Sequence, residues 1–157
     1  KHSAEEVWDT ESKNAKKDWG KLLHKVLADI HYIHQKDEVI KKAYISGICT
    51  EKEYEKLKFS ISELLADPEI TPYFTDKWEV KTEKEILMNT GRTYIPDRLL
   101  FDTTSDEVIV IFYKTGEEQD KHKKQISDYA NALTQMGHKN VKQLLVYTTK
   151  KQKVRQL

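Results

Sequence analysis

The apolar positions in the first half of the chain repeat with a helical period. Over residues 15–36 they return every three or four positions and form one stripe, which predicts an amphipathic helix. A shorter helix is predicted over 37–45, ended by Ser46 and Gly47. The stripe of the first helix consists of Trp19, Leu22, Leu23, Val26, Leu27, Ile30 and Ile33.

A capping box marks the start of the next helix. The Thr50 hydroxyl is placed to accept a hydrogen bond from the backbone N–H of Glu53, whose carboxylate is placed to accept from the backbone N–H of Thr50. The pattern predicts a helix over 51–66, because Asp67 and Pro68 end it. Its inward positions are Tyr54, Leu57, Ile61, Leu64 and Leu65.

The second half of the chain changes to a strand pattern. Residues 78–88, 93–102 and 107–114 are rich in β-branched and aromatic side chains and predict three strands. Polar turns at 89–91 and 103–106 separate them. The third strand is almost continuously apolar, which indicates a strand buried on both faces.

A helix and a last strand follow the three strands. The helix is predicted over 117–136 and ends before Gly137, and the strand covers 141–147. A helical crossover favours parallel pairing of this last strand with one of the earlier ones. The predicted fold class is therefore α/β, with a mixed sheet flanked by helices and extra helices at the N-terminus. The polar tail from 148 onward is expected to fray.

Length and composition favour one domain. A chain of 157 residues, 38% apolar and 34% charged, suits a single core with a charged surface, so we assign 1–157 to one domain with its core at 14–148 and a polar tail at 149–157. No apolar run is long enough for a bilayer, and no membrane partner is expected. A single cysteine and no signal peptide favour a cytoplasmic location. The chain begins without Met, as a fragment of a longer protein would.

Charge is distributed unevenly along the chain. The net charge is only +1, but residues 121–124 form a basic cluster and residues 139–157 contain six basic and no acidic side chains. Basic clusters attract phosphate groups. The alternative, a solvated helix face and a frayed tail, stays open for each cluster.

Asp97 is the most unusual polar residue of the predicted sheet. Because side chains alternate along a strand, Asp97 shares a face with apolar neighbours, and Phe112 and Lys114 share a face opposite Tyr113. A carboxylate among apolar side chains is costly unless it meets a metal ion, a cation or several donors. Pro96 indicates a strand edge or a bulge just before Asp97. Spacing alone favours a structural ion pair of Asp97 with Arg98 or Lys114.

Five segments, taken in order, resemble a known family. They resemble the PD-(D/E)XK nuclease superfamily, and more closely the RecB/AddA-type nuclease domain of UvrD-like helicases such as the exonuclease V beta subunit. The helicase phosphate loop itself is not present in the chain. The segments are 22–27, 78–87, the GRTYIPDR segment at 91–98, the VIFYKTG segment at 110–116, and Gln125 with Tyr129.

The resemblance implies a restriction-endonuclease-like αβββαβ core and a set of roles. Asp97 would be a metal carboxylate, His24 an additional metal ligand from the N-terminal helix, and the backbone carbonyl of Tyr113 a third donor. Lys114 would orient the attacking water or offset the charge of the phosphate. The expected cofactor is Mg²⁺ or Mn²⁺ if the domain is active.

The resemblance also assigns residues around this centre. Gln125 and Tyr129, four apart on one helix face, would position DNA or brace the site, although Tyr129 lies in the apolar stripe and is equally explained as a core residue. Glu83, Glu85 and Glu117 are possible substitute carboxylates. For the first two, exposed charges on an outer strand are the alternative.

Phe112 stands at the position where the family has its second catalytic carboxylate. Phenylalanine supplies no oxygen, and Mg²⁺ requires near-octahedral oxygen coordination, so cleavage is expected to be impaired. The resemblance therefore implies a DNA exonuclease-type domain of an ATP-dependent helicase/nuclease in DNA end processing and repair, with weakened catalysis. Its partners would be DNA, a helicase domain of the same chain and a partner subunit. The alternative is a non-catalytic DNA-binding or subunit-docking module.

Overall fold

Four α-helices and two β-sheets make up the described part of the chain. The computed structural model describes residues 4–82, 86–87, 91, 93–116, 119–148 and 154–157, of which 4–12, 86–87, 93–94 and 155 are described by their backbone only. The predicted α/β class, a mixed sheet flanked by helices, is confirmed. Among the helices of the described ranges, none has the length and apolar character needed to cross a bilayer.

The helices lie close to their predicted positions. They are α1 at Ala4–Asp29, α2 at Lys36–Ile45, α3 at Glu51–Ala66 and α4 at Asp120–Gln135, with short 3-10 turns at Ile33–Gln35 and Thr71–Phe74. The capping box of α3 is confirmed: the Glu53 backbone N–H donates to Thr50 Oγ1 at 3.2 Å, and the Thr50 backbone N–H donates to Glu53 Oε1 at 2.9 Å.

The prediction of one helix over 15–36 is wrong at both ends. The helix begins at Ala4, and it ends at Asp29, so Ile33 leaves the apolar stripe and is 38% exposed. The guanidinium of Arg98 donates hydrogen bonds to the carbonyls of Ile30 and His31, just beyond the last turn. A cation at the C-terminal end of a helix satisfies carbonyls that have no partner inside the helix, which is why the chain turns there.

The strands form one larger sheet and one hairpin. The larger sheet has the order β1-β4-β5-β6-β7 and the hairpin pairs β2 with β3. In the larger sheet, β1–β4, β4–β5 and β6–β7 are antiparallel and β5–β6 is parallel, as the helical crossover through α4 predicts. The strands are β1 Trp78–Lys81, β2 Ile86–Leu87, β3 Thr93–Tyr94, β4 Arg98–Asp102, β5 Glu107–Lys114, β6 Asn140–Tyr147 and β7 Val154–Gln156.

Two of the predicted strands are interrupted, and the tail is ordered at its end. The predicted strand 93–102 divides at Ile95–Asp97, because Pro96 has no N–H to donate to a ladder. The predicted strand 78–88 divides into β1 and β2. The prediction of a frayed tail is wrong for β7, which pairs with β6 from Val154 to Gln156 and covers its edge.

The larger sheet separates two apolar cores. One face packs on α1, α2 and α3, and the other packs on α4. Adjacent residues of β5 therefore enter different cores: Tyr113 lies in the first and Phe112 in the second. This alternation decides which side chains meet at the end of the strand.

Candidate functional site

Asp97 lies at the point where β4 begins and β5 ends. Arg98 is the first residue of β4 and pairs with Ile111 of β5, so Asp97 just precedes the ladder. Its Oδ2 atom accepts a hydrogen bond from the backbone N–H of Tyr113 at 2.7 Å. The strand is interrupted at Pro96, so the Asp97 carboxylate accepts the Tyr113 N–H in place of a backbone carbonyl of the ladder. This hydrogen bond fixes the orientation of the carboxylate.

His24 brings α1 to the same point. Its Nδ1 atom lies 3.9 Å from Asp97 Oδ1, and its ring centroid lies 5.9 Å from that of Tyr113. The two side chains are only partly exposed, at 31% for His24 and 27% for Asp97. The predicted approach of His24 to Asp97 is thus present in the structure.

Burial sets the charge states of this pair. It lowers the pKa of His24, although the charge of Asp97 acts in the opposite direction and Lys114 lowers the pKa further. Burial raises the pKa of Asp97, and His24, the Tyr113 N–H and Lys114 partly offset this increase. At neutral pH the neutral form of His24 is therefore favoured, so its contact with Asp97 is a polar contact and not an ion pair.

Lys114 is the last residue of β5, and its side chain points to the opposite side of the strand from that of Tyr113. Its Nζ atom donates to Oε1 of Gln125 on α4 at 3.0 Å and lies 5.5 Å from the centroid of the Phe112 ring. Burial lowers the pKa of Lys114, and the charge of Asp97 raises it. Asp97 therefore influences Lys114 electrostatically, but within the described ranges Asp97 forms no direct ion pair with Lys114 or with Arg98.

Phe112 is a core residue of the α4 side. Its side chain is 3% exposed, and its ring meets that of Tyr129 edge-on, with centroids 6.2 Å apart and planes at 81°. Tyr129 is fully buried in the same core, so its alternative explanation as a packing residue is consistent with the structure. Burial raises the pKa of Tyr129 to about 12, so it stays a neutral phenol.

The described residues do not make a complete site for Mg²⁺. His24 and Asp97 supply two side-chain donors, and one Asp97 oxygen is already occupied by the Tyr113 N–H. No group of three or more His, Cys, Asp or Glu side chains comes together in the described part of the chain. The possible substitutes Glu83, Glu85 and Glu117 lie outside the described residues. The described residues therefore supply fewer oxygen ligands than the near-octahedral coordination of Mg²⁺ requires.

Two buried polar atoms at this pair have no hydrogen-bond partner among the residues that the structure describes. They are Nε2 of His24 and the hydroxyl oxygen of Tyr113, both on the α1 side of the sheet. Burial strongly raises the pKa of Tyr113, so the hydroxyl keeps its proton. Unsatisfied polar groups cost stability in a core and are concentrated at functional sites.

Spacing favours an ion pair of Asp97 with Arg98 or Lys114, but Arg98 instead donates to three backbone carbonyls. It is fully buried, its Nη1 donates to Ile30 at 2.8 Å, its Nη2 donates to His31 and Tyr73, and its Nε donates to Tyr73 at 3.2 Å. The guanidinium also lies 3.9 Å above the Phe74 ring. The signal for this role was the end of α1, because carbonyls at a buried helix terminus require a donor.

A second polar pair that the sequence did not reveal lies beyond Lys114. His122 of α4 and Tyr147 at the end of β6 are both buried, and His122 Nδ1 lies 3.3 Å from the Tyr147 hydroxyl. Burial, followed by the charges of Lys114 and Lys121, lowers the pKa of His122. Lys114 and Lys121 are thus the positive charges that act on His122 in this part of the site.

At this end of the sheet Asp97 approaches His24 of α1, Lys114 donates to Gln125 of α4, and Phe112 fills the core between β5 and α4. This arrangement is able to hold a charged group near Lys114 and to orient a donor near Asp97. The sequence itself matches no protein-family model and shows no significant similarity to a curated protein.

Proposed function

We propose that this chain is a DNA exonuclease-type domain of a restriction-endonuclease-like fold, from a cytoplasmic ATP-dependent helicase/nuclease that processes DNA ends. In this proposal, metal-dependent cleavage is impaired because Phe112 replaces the second catalytic carboxylate. DNA is the substrate, and the partners are a helicase domain of the same chain and a further subunit.

One observation carries this proposal. His24 of α1, Asp97 just before β4 and Lys114 of β5 converge at one end of the sheet, where the charge of Asp97 raises the pKa of both His24 and Lys114. Structural packing alone has little need of a half-buried carboxylate, imidazole and amine together, since each charged form is disfavoured by burial. Perturbed groups that converge in this way are typical of functional sites.

The residues present have distinct tasks in this proposal. Lys114, oriented by Gln125, would offset negative charge on a phosphate. Asp97, held by the Tyr113 N–H, would be the remaining acidic group of the centre. A bound divalent ion would supply polarisation of the phosphate and activation of water. Because Phe112 offers no oxygen, the described residues do not hold that ion well, and the wild-type chain should cleave poorly.

A gain-of-function substitution tests the proposal. The chain carrying Phe112→Asp is compared with the wild type on single-stranded and double-stranded DNA in the presence of Mg²⁺ or Mn²⁺. The new carboxylate is expected to increase cleavage by at least about 100-fold, since each placed electrostatic group is worth that much to a reaction. Adding Asp97→Asn to this variant should abolish the gain.

The matched control is Phe112→Asn, which has the same shape as Asp without the charge. Both substitutions remove a buried ring and are expected to cost about 3–5 kcal/mol of unfolding free energy, so circular dichroism must first show that both proteins are folded. If folded Phe112→Asp cleaves no faster than Phe112→Asn, the nuclease origin of this centre is contradicted.

The second candidate is a non-catalytic DNA-binding or subunit-docking module. It is favoured by the tight packing of Phe112 against Tyr129 and by the short supply of metal donors in the described ranges. Binding without cleavage that weakens steeply with salt would indicate the DNA-binding form, because phosphate contacts release counterions. Absence of any DNA binding would leave the docking form.

A further inference from the structure

A groove runs between α1 and α3 and reaches the sheet where β5 and β6 end. Its volume is about 760 Å³. Thr115 and Gly116 follow β5 directly and Thr148 follows β6, so the groove opens beside the candidate site. The residues that matter here are Lys16, Trp19, Lys56, Ser60, Thr115 and Thr148.

Trp19 forms an aromatic platform on the α1 wall. Its side chain is half-buried, and Lys56 of α3 places its Nζ atom 4.0 Å from the ring centroid. The indole thus packs partly against the first apolar core, lines the groove, and carries the end of the exposed Lys56 side chain over its ring. Such a face also suits a nucleobase, because every base offers a π-surface for stacking.

The polar lining of the groove complements phosphate. Lys16 of α1 and Lys56 of α3 are exposed cations, and the groove is also lined by Ser60, Thr115 and Thr148, of which the Thr148 hydroxyl donates to the Lys114 carbonyl at 3.4 Å. No carboxylate is among the side chains that line this groove in the described part of the chain. Cations and hydroxyls without acidic neighbours attract a phosphate backbone.

The groove adjoins the candidate site through the backbone of Lys114. Lys114 immediately precedes Thr115, and its carbonyl accepts a hydrogen bond from the Thr148 N–H at 2.9 Å. Gly20 permits the close approach of α1, since a Cβ atom there would lie 3.0 Å from Thr115 Oγ1. A DNA strand in the groove would therefore lie beside the end of β5 that carries Lys114 and Thr115.

We propose that this groove holds a short stretch of single-stranded DNA, with one base stacked on Trp19 and the phosphates on Lys16 and Lys56. Stacking moves Lys56 off the indole face and turns its ammonium to the backbone of the strand. This inference rests on the proposed function and adds to it the substrate class, a single strand that extends from the Lys114 end of the site.

Binding of a fluorescein-labelled oligothymidylate to the whole chain, followed by anisotropy, tests the groove. Trp19→Leu is expected to weaken binding by about tenfold, whereas Trp19→Phe keeps a stacking surface and retains most of the affinity. Lys56→Gln and Lys16→Gln should each weaken binding and reduce the salt dependence by about one released counterion. Lys41→Gln, an exposed position on α2 outside the groove, is the matched control and should change neither.

Two results would overturn the groove assignment. One is a folded Trp19→Leu protein that binds the oligonucleotide as tightly as the wild type, and the other is a duplex that binds more tightly than the single strand. Neither binding result depends on cleavage. If one of them is obtained and Phe112→Asp still gains nuclease activity, the groove assignment fails and the nuclease proposal stands. If Trp19→Leu weakens binding but Phe112→Asp gains nothing, the groove stands and the nuclease proposal fails.

Discussion

Asp97 accepts a hydrogen bond from the backbone N–H of Tyr113 across the end of the sheet, with an N···O distance of 2.7 Å. Because side chains alternate along β5, this contact joins Asp97 to the strand between two opposite side chains, Phe112 on the α4 face and the Tyr113 ring on the α1 face. The position of the carboxylate is therefore set by backbone geometry, and its chemistry depends on the residues at either side.

Asp97 is expected to lower the stability of the protein at neutral pH. Burial raises its pKa in the folded state, so the folded chain binds more protons than the unfolded chain between the two pKa values. The free energy of unfolding contributed by Asp97 therefore falls as pH rises through that window. Asp97→Asn keeps an acceptor for the Tyr113 N–H without the charge. Urea unfolding should show a more stable variant at about pH 7 and convergence with the wild type near pH 3.

A matched surface variant controls for the general effect of removing an acid. Asp106 is exposed in the turn before β5, and Asp106→Asn should leave the unfolding curve almost unchanged at both pH values. A destabilised Asp97→Asn at neutral pH would show that the His24 and Lys114 contacts outweigh the cost of burial.

His24 is expected to titrate below its ordinary pKa of 6.5, since burial is the largest influence on it. A histidine whose folded pKa is lowered makes the protein more stable as pH rises from that pKa toward 6.5. The imidazole proton resonances of His24, followed by NMR, should give a midpoint under that value. Asp97→Asn should lower the midpoint further, because it removes the charge that favours the imidazolium. A midpoint above 6.5 would mean that the charge of Asp97 influences the pKa of His24 more than burial does.

Arg98 is expected to be essential for stability. Arg98→Met leaves the carbonyls of Ile30, His31 and Tyr73 without their donor and removes the cation above Phe74. Breaking a buried charged network of this kind costs about 3–5 kcal/mol. Denaturant unfolding should show this loss, and Arg98→Lys should recover little of it, since an ammonium lacks the planar fork. A change within about 0.5 kcal/mol would contradict the anchoring role.

The C-terminal strand is expected to contribute to stability. Truncation after residue 153 removes β7, which pairs with β6 and brings Val154 against the first core. The loss of one partly buried valine and its ladder predicts a decrease of about 2 kcal/mol in the free energy of unfolding, with increased aggregation from the exposed edge of β6. Leu157→Ala, a half-exposed position beyond the strand, is the control. Equal stability of the truncated and full chains would show that β7 is dispensable.

Local sequence signals predicted most of the elements. The α3 helix matches its prediction residue for residue, because a capping box and a proline define both ends. The parallel β5–β6 pairing followed from the helical crossover. Periodicity predicted α1 only in part, because the position of its C-terminal end depends on Arg98, a residue 68 positions away from Ile30.

The site, like α1, was predictable only in part, because it too depends on contacts between distant parts of the chain. The resemblance placed His24, Asp97, Lys114 and Gln125 together, and the structure brings them to one end of the sheet. It gave no indication of the Tyr113 N–H contact, the buried atoms without partners or the His122–Tyr147 pair. These three features depend on how the helices and strands are placed relative to one another. The spacing of residues along the sequence contains no information about that placement.

The most direct measurement of the central claim is Mn²⁺ binding, followed by the loss of the free-ion EPR signal. Mn²⁺ tolerates imidazole better than Mg²⁺ and so suits a centre with His24. If Phe112 costs the centre a ligand, Phe112→Asp should bind Mn²⁺ at least about tenfold more tightly than the wild type, and Asp97→Asn should remove the gain. Equal affinity of the wild type and folded Phe112→Asp would contradict the claim.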